Sequence, residues 1–347
     1  MTLDKPQIIS HLSKPLSYTP HDTRWVPMSS RFIVVGQHAR GTGCLAVHQL
    51  SHDGLTLSTQ IEHPSAFKCA TFAASATRSP ATGHFNGLVT TWDLESGTAA
   101  TTHRAHDQLV NCIDGCGGPG VAGPPELVTG SRDGSVKVWD VRQPVPVATM
   151  HGDRAPDVWT VAFGNAYTAT DRCVAAGYAN GDLVLFDLRS MGVRWTTNVG
   201  DGVCSVEFDR RDVRMNKMVV GALEGRVGVY DLRTLHPVHG FAGVAVKEND
   251  DATVWLIRHV PQDRDLFVSS GGAGALRLWR YAYPESRVRK EKGDEHSMGV
   301  AGTMEELQHA KVAEQPVNSF DWSPDKKGLC VFTAFDQTVR VGIVTKI

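Results

Sequence analysis

The chain has 347 residues, 41% of them hydrophobic and 21% charged, with 35 Lys and Arg against 37 Asp and Glu. That is the composition of a globular chain able to bury a sizeable core, and a formal charge of −2 excludes a global field drawing it to nucleic acid or an anionic membrane. The N-terminal residues lack the apolar core of a signal peptide and no run of about 18 apolar residues occurs, so the expectation is a cytoplasmic protein with no membrane partner. Seven scattered cysteines, an odd number lying mostly in β-prone runs, point to reduced thiols rather than a disulfide framework.

In chain order, the first element is Pro6-Gln-Ile-Ile-Ser-His-Leu12, a short β-prone run with no partner nearby in sequence. From there the chain alternates between two patterns. One is an apolar strand: Thr23-Arg-Trp-Val26 is its poorest copy, followed by Phe67-Lys-Cys-Ala-Thr-Phe72, Val110-Asn-Cys-Ile113, Val158-Trp-Thr-Val-Ala-Phe163, Val203-Cys-Ser-Val-Glu-Phe208, Val254-Trp-Leu-Ile257 and Val317-Asn-Ser-Phe-Asp-Trp322. The other is a hairpin, clearest at residues 126–142, where Asp133-Gly134 forms the turn and Ser135-Val-Lys-Val-Trp-Asp140 alternates along the second strand.

Copies of the turn centre on positions 42, 86, 133, 180, 224, 273 and 336, spacings of 44, 47, 47, 44, 49 and 63 residues. Seven units of this length predict a seven-bladed β-propeller formed by one domain over residues 1–347. The last unit has only three strands of its own, ending on Thr338-Val-Arg-Val-Gly-Ile-Val-Thr345, so the N-terminal run is expected to supply its outer strand and close the ring. The long last spacing locates an insertion at about 284–299, highly charged and nearly devoid of apolar residues, expected to be a flexible loop; Arg287, Arg289, Lys290 and Lys292 cluster there as a candidate docking or modification segment.

Motifs for chemistry fail on context. Gly115-Cys-Gly-Gly-Pro-Gly120 has dinucleotide-binding spacing, but Pro119, Pro124 and Pro125 preclude the helix that would receive the pyrophosphate. No phosphate loop, zinc-ligand set or nucleophile elbow occurs. The expectation is no enzymatic activity, no cofactor and no metal.

Trp92-Asp93 and Trp139-Asp140 resemble the name-giving dipeptide of the WD-repeat β-propellers, and the resemblance spans the whole chain. The Gly-His pair that opens such repeats survives at best as Ala105-His106. In this family His, Ser or Thr, Asp and Trp form a buried hydrogen-bond network, which the resemblance places here on His106, Thr129 or Ser131, Asp133 and Trp139, with a structural role.

Stretches such as Gly202-Val-Cys-Ser-Val-Glu-Phe-Asp-Arg210 and Asp321-Trp-Ser-Pro-Asp-Lys326 are similar in particular to WD-repeat dynein axonemal assembly factors. That resemblance implies a cytoplasmic adaptor linked to prefoldin-like and AAA-ATPase co-chaperone subunits and to dynein chains, serving the assembly of cilia. A monomer is expected.

The residue after the first apolar position of each inner strand and the residue before each turn should share one rim of the ring. On that rim Arg24, Lys68, Phe85, Arg132, Trp159, Trp255 and Phe335 are the candidate protein-interaction residues, because aromatic and Arg side chains are the usual anchors of interfaces. Trp159 and Trp255 could equally belong to the core. A different reading rests on Trp139-Asp-Val-Arg142, Phe186-Asp-Leu-Arg189 and Tyr230-Asp-Leu-Arg233, which resemble the box by which some WD-repeat proteins dock on a cullin ubiquitin-ligase adaptor as substrate receptors. A pairing of these arginines with nearby Asp residues would account for the same pattern.

Overall fold

The computed structural model describes residues 5–72, 78–117, 125–151, 156–209, 212–248, 252–290 and 295–347. Seven four-stranded antiparallel sheets follow one another. Blade 1 comprises Thr19–Trp25, Arg31–Gln37, Gly43–Ser51 and Gly54–His63; blade 2 Phe67–Thr71, Ala81–His84, Leu88–Asp93 and Thr98–Arg104; blade 3 Val110–Cys116, Glu126–Ser131, Ser135–Asp140 and Pro146–His151. Blade 4 comprises Val158–Gly164, Cys173–Tyr178, Asp182–Asp187 and Gly192–Asn198; blade 5 Val203–Phe208, Lys217–Ala222, Arg226–His236 and Gly240–Lys247. Blade 6 comprises Val254–Val260, Asp263–Gly271, Ala275–Ala282 and Thr303–Lys311, and blade 7 Val317–Trp322, Leu329–Ala334 and Thr338–Thr345. The fourth strand of blade 7 is N-terminal: Gln7–Pro15 pairs antiparallel with Thr338–Thr345, from Gln7 opposite Thr345 to Pro15 opposite Thr338. The ring is a seven-bladed WD-repeat propeller closed by its first strand.

The hairpin turns explain why the repeat was visible. In blade 3 the Gly134 amide donates to the Ser131 carbonyl (3.2 Å) with φ of +80° at Gly134, so the left-handed position falls on the glycine. Blade 7 puts Gln337 in the same place at φ +58°, which is why its turn reads so weakly. In blades 2 to 5 the second strand carries a glycine that the next blade's first inner residue covers. A Cβ at Gly130 would come within 2.5 Å of Val158, and one at Gly177 within 2.4 Å of Val203. These contacts hold the core clusters in the seams between sheets rather than inside any one sheet.

Part of the charged insertion is placed against blade 5. Val288–Arg289 pairs with Met298–Gly299, and the Arg287 guanidinium binds Asp231, donates to Asn216 Oδ1 (2.9 Å) and lies 4.7 Å from the Tyr283 ring centre. Of the clustered cations expected there, Lys292 lies outside the described residues.

Two outcomes follow from closure and burial. Deleting residues 1–14 removes nearly the whole closing strand and should lower the melting temperature by on the order of 10 °C, read by calorimetry against the full chain; an unchanged transition would refute closure by this route. His48 is 1% exposed, with neither ring nitrogen hydrogen-bonded among the described residues, and burial lowers its pKa to about 4. Because the folded value lies below the unfolded one, stability is complete above pH 6.5 and lost as pH falls towards 4, by about 2 kcal/mol at pH 5. His48→Leu should recover about that amount at pH 5 relative to pH 8 in urea melts at the two pH values.

Candidate functional site

Among the described residues, the predicted polar network is complete in blade 3. His106 Nδ1 contacts Asp133 Oδ2 (3.0 Å), its Nε2 meets Thr129 Oγ1 (2.8 Å), and Trp139 Nε1 donates to Thr129 Oγ1 (2.9 Å). Thr129 is therefore the hydroxyl partner, while Ser131 Oγ accepts from the Asp133 amide (3.1 Å). Burial holds His106 down at about 4 against the opposing pull of Asp133. Two partial relatives of this network escape sequence inspection. In blade 2, Trp92 Nε1 donates to Thr82 Oγ1 (2.9 Å), which meets His84 Nε2 (3.1 Å). In blade 6, Trp279 Nε1 donates to Ser269 Oγ (2.9 Å), which donates to Glu248 (2.7 Å), a buried carboxylate paired with Arg277 at 3.0 Å. A glutamate there fills the role of a histidine, and no repeat pattern flags it.

The shared rim is built by one recurring bond. The residue two positions before each turn's positive-φ residue donates its amide to the carbonyl just ahead of an inner strand: Phe85 to Ala66 (3.0 Å), Arg132 to Leu109 (3.0 Å), Ala179 to Asp157 (3.0 Å), Leu223 to Gly202 (3.0 Å), Gly272 to Thr253 (2.8 Å) and Phe335 to Pro316 (3.1 Å). In blades 2 to 7 every inner strand then bulges at its second residue, as between Val158 and Thr160, Val254 and Leu256, and Phe67 and Cys69. The bulged residue turns its side chain into the mouth of the central channel. Lys68, Asn111, Trp159, Cys204, Trp255 and Asn318 all line that mouth, a cavity of about 320 Å³.

Blade 1 differs from the expected placement. Its bulge lies between Pro20 and Asp22, so its lip residue is His21, and Arg24 sits three residues deeper in the channel. Pro20 and Thr23 occupy the two positions that are apolar in the other inner strands, so the apolar pattern in the sequence falls instead on Thr23-Arg-Trp-Val26.

Neighbouring blades bring lip and turn aromatics together. His21 lies 5.3 Å from Phe85, Trp255 lies 5.8 Å from Phe335 edge-on, and the Trp159 ring lies against Gly202. Trp255 is 36% exposed and Phe85 38%, so these rings are partly open to solvent. Arg132 stands apart on the turn of blade 3, exposed and 3.6 Å from Asp157.

Below the lip the channel wall is charged. Arg24 pairs with Asp22 at 3.2 Å and approaches Asp321 at 4.0 Å; Arg258 lies 3.8 Å from Glu207. Desolvation in the channel pushes Asp321 up to about 6 in spite of Arg24. Asp114, Asp212 and Arg264 join these groups around a second cavity of about 570 Å³ towards the opposite mouth. Among the described residues no three of His, Cys, Asp and Glu converge as a metal site, and no helix is long and apolar enough to cross a membrane.

The aromatic–Asp–x–Arg boxes lie at the ends of the third strands of blades 3 and 4 and within the longer third strand Arg226–His236 of blade 5, towards the opposite rim. Arg142 folds back on its own Asp140 (2.5 Å), Arg233 Nε donates to Asn216 Oδ1 (2.5 Å), and Asp231 is taken by Arg287 of the insertion. These contacts are within the chain, between residues of one or two adjacent blades.

The WD domain, G-beta repeat family model matches residues 97–140, from the outer strand of blade 2 to the third strand of blade 3, which contains the complete His106 network. The chain is 52% identical over 353 aligned residues to dynein axonemal assembly factor 10 of Xenopus tropicalis, covering 99% of this chain and 98% of the relative. Identity is 51% to the Homo sapiens protein of that name and 49% to the Chlamydomonas reinhardtii one, over 352 residues with the same coverage. At that identity across the full length of both sequences, the chain belongs to the dynein axonemal assembly factor 10 family.

Proposed function

We propose that the protein is a non-catalytic adaptor in the cytoplasmic preassembly of axonemal dynein arms. It holds a subunit of the prefoldin-like and AAA-ATPase co-chaperone machinery on one surface while a dynein chain engages another. The names of its relatives support the link to axonemal dynein assembly, and the stretches quoted above are similar to WD repeat-containing protein 92, also called Monad. The observation that carries the adaptor role is the channel mouth, where Trp159 and the Trp255–Phe335 and His21–Phe85 pairs present partly exposed aromatic area on a rigid closed ring. Such surfaces bind with little loss of side-chain entropy, because the rings are already positioned by the lip.

Replacing both Trp159 and Trp255 by Ala should abolish capture of co-chaperone subunits or dynein chains from ciliated-cell lysate, read by pull-down and mass spectrometry, with the melting transition retained. Loss of cooperative folding in the double variant would instead assign the two rings to the core, and undiminished capture would remove the mouth from the function.

A further inference from the structure

The lip residues divide into two groups. Asn111 Nδ2 donates to the Val158 carbonyl (2.9 Å) and Asn318 Nδ2 to the Pro20 carbonyl (2.6 Å), each reaching the first inner residue of the next blade. They stitch the ring. Lys68 stitches nothing: it is half-buried at the lip and forms no hydrogen bond or ion pair among the described residues. Beside it, His21 leaves Nε2 buried and without a partner.

The surrounding charges leave the mouth positive. Its acidic group is Asp22, which Arg24 matches at 3.2 Å and which also accepts from the amides of Thr23 (2.9 Å) and Ala70 (2.9 Å) and from Ser319 Oγ (2.7 Å). Asp22 therefore has no lone pair directed at Lys68. Arg258 adds a second positive charge to the lining, its counter-charge Glu207 lying on the far side in the lower cavity. That lower cavity carries Asp114, Glu207, Asp212 and Asp321 against Arg24, Arg258 and Arg264. The mouth lining thus carries Arg24, Lys68 and Arg258 against the single carboxylate Asp22, and a half-buried cation without a partner is costly until something supplies the charge.

We propose that the mouth takes an acidic, extended segment of a partner protein, with an Asp or Glu side chain seated on Lys68 and the flanking residues lying over Trp159 and Trp255. This rests on the mouth being the interaction face and adds the chemistry it selects. A cavity of about 320 Å³ is at the small end of ligand pockets, so one side chain and its neighbours enter rather than a folded element. A carboxylate there gains a charge-assisted bond from Lys68, while the rings cover apolar area around it.

The test uses the full chain and a short peptide of alternating Glu and Ala, acetylated and amidated, with a Gln–Ala peptide as control. Quenching of Trp fluorescence or anisotropy of a labelled peptide reads binding. The Glu peptide should bind at least about tenfold more tightly than the Gln peptide and weaken with salt. Lys68→Gln should bring it to the Gln level without moving the melting temperature, and Arg264→Gln, at the far mouth, should leave it unchanged. Equal affinity for the two peptides, no binding of the Glu peptide, indifference to Lys68→Gln, or binding only of a peptide with a free C-terminal carboxylate would each overturn the inference. If the Trp159→Ala, Trp255→Ala variant loses its natural partners while Lys68→Gln keeps them, the interaction face stands and the acidic-segment inference falls.

Discussion

Each sheet of the ring has an inner strand paired on one side only, and that bare edge faces the channel. Left alone, seven such edges would expose rows of unsatisfied amides in a narrow, poorly solvated space. The chain meets this by reaching across from the preceding blade. Asp22 accepts from Ala70 N (2.9 Å), Asp114 from Phe163 N (2.9 Å), Thr160 from Val206 N (3.1 Å), Ser205 from Ile257 N (3.0 Å), Asp321 from Trp25 N (2.8 Å) and Ser319 from Thr23 N (3.0 Å). Short polar side chains at the third and fifth inner positions are thereby committed to the ring, and so are the carboxylates that line the channel. The same commitment runs through closure: blade 7 both caps the amides of blade 1 and takes its own outer strand from the N-terminus.

This explains how much of the protein could be read from its sequence. Blade number was legible because the turn glycines must adopt positive φ and because Val110, Val158, Val203 and Val254 must sit on a glycine of the preceding blade. Both are steric demands on residue type, and sterics leave regular traces. Stitching by side chains leaves weaker ones, since Asp, Thr, Ser and Glu serve interchangeably as acceptors. Blade 1 shows the consequence: with Pro20 and Thr23 at the first and fourth inner positions, where the other blades carry apolar side chains, the apolar pattern fits its inner strand three residues late and points to Arg24 rather than His21 as the lip residue.

The buried triads behave in the same way. The His106–Thr129–Trp139 set was legible because blade 3 keeps the residues the WD-repeat resemblance calls for. In blade 6 a Glu248–Arg277 pair does the work of the histidine, and a carboxylate can replace an imidazole only because a buried guanidinium lies 3.0 Å away. That compensation involves residues 29 positions apart in sequence, so it is visible in space and silent in a repeat alignment. Arg287 is a comparable case: a charged segment with little to bury gains order by placing one guanidinium on Asp231 and Asn216 and over Tyr283.

What remains after these obligations is the second inner position. Its backbone is bulged out of the ladder, so the residue there need not satisfy a neighbour, and the chain is free to vary it: His21, Lys68, Asn111, Trp159, Cys204, Trp255 and Asn318 share no chemistry. Where the side chain is Asn it has been recruited back into stitching. Lys68, Trp159 and Trp255 have not been, although each costs more to hold at a half-buried lip than a small residue would, through lost rotamer freedom for Lys and exposed apolar area for Trp. A closed ring gains nothing from an unpaired ammonium at a lip that also carries two indoles. Those three residues are therefore where the structure departs from what folding requires, and that departure is the physical reason to propose recognition at this mouth; of the aromatic–Asp–x–Arg boxes, those of blades 3 and 5 already have their arginines, Arg142 and Arg233, engaged within the chain.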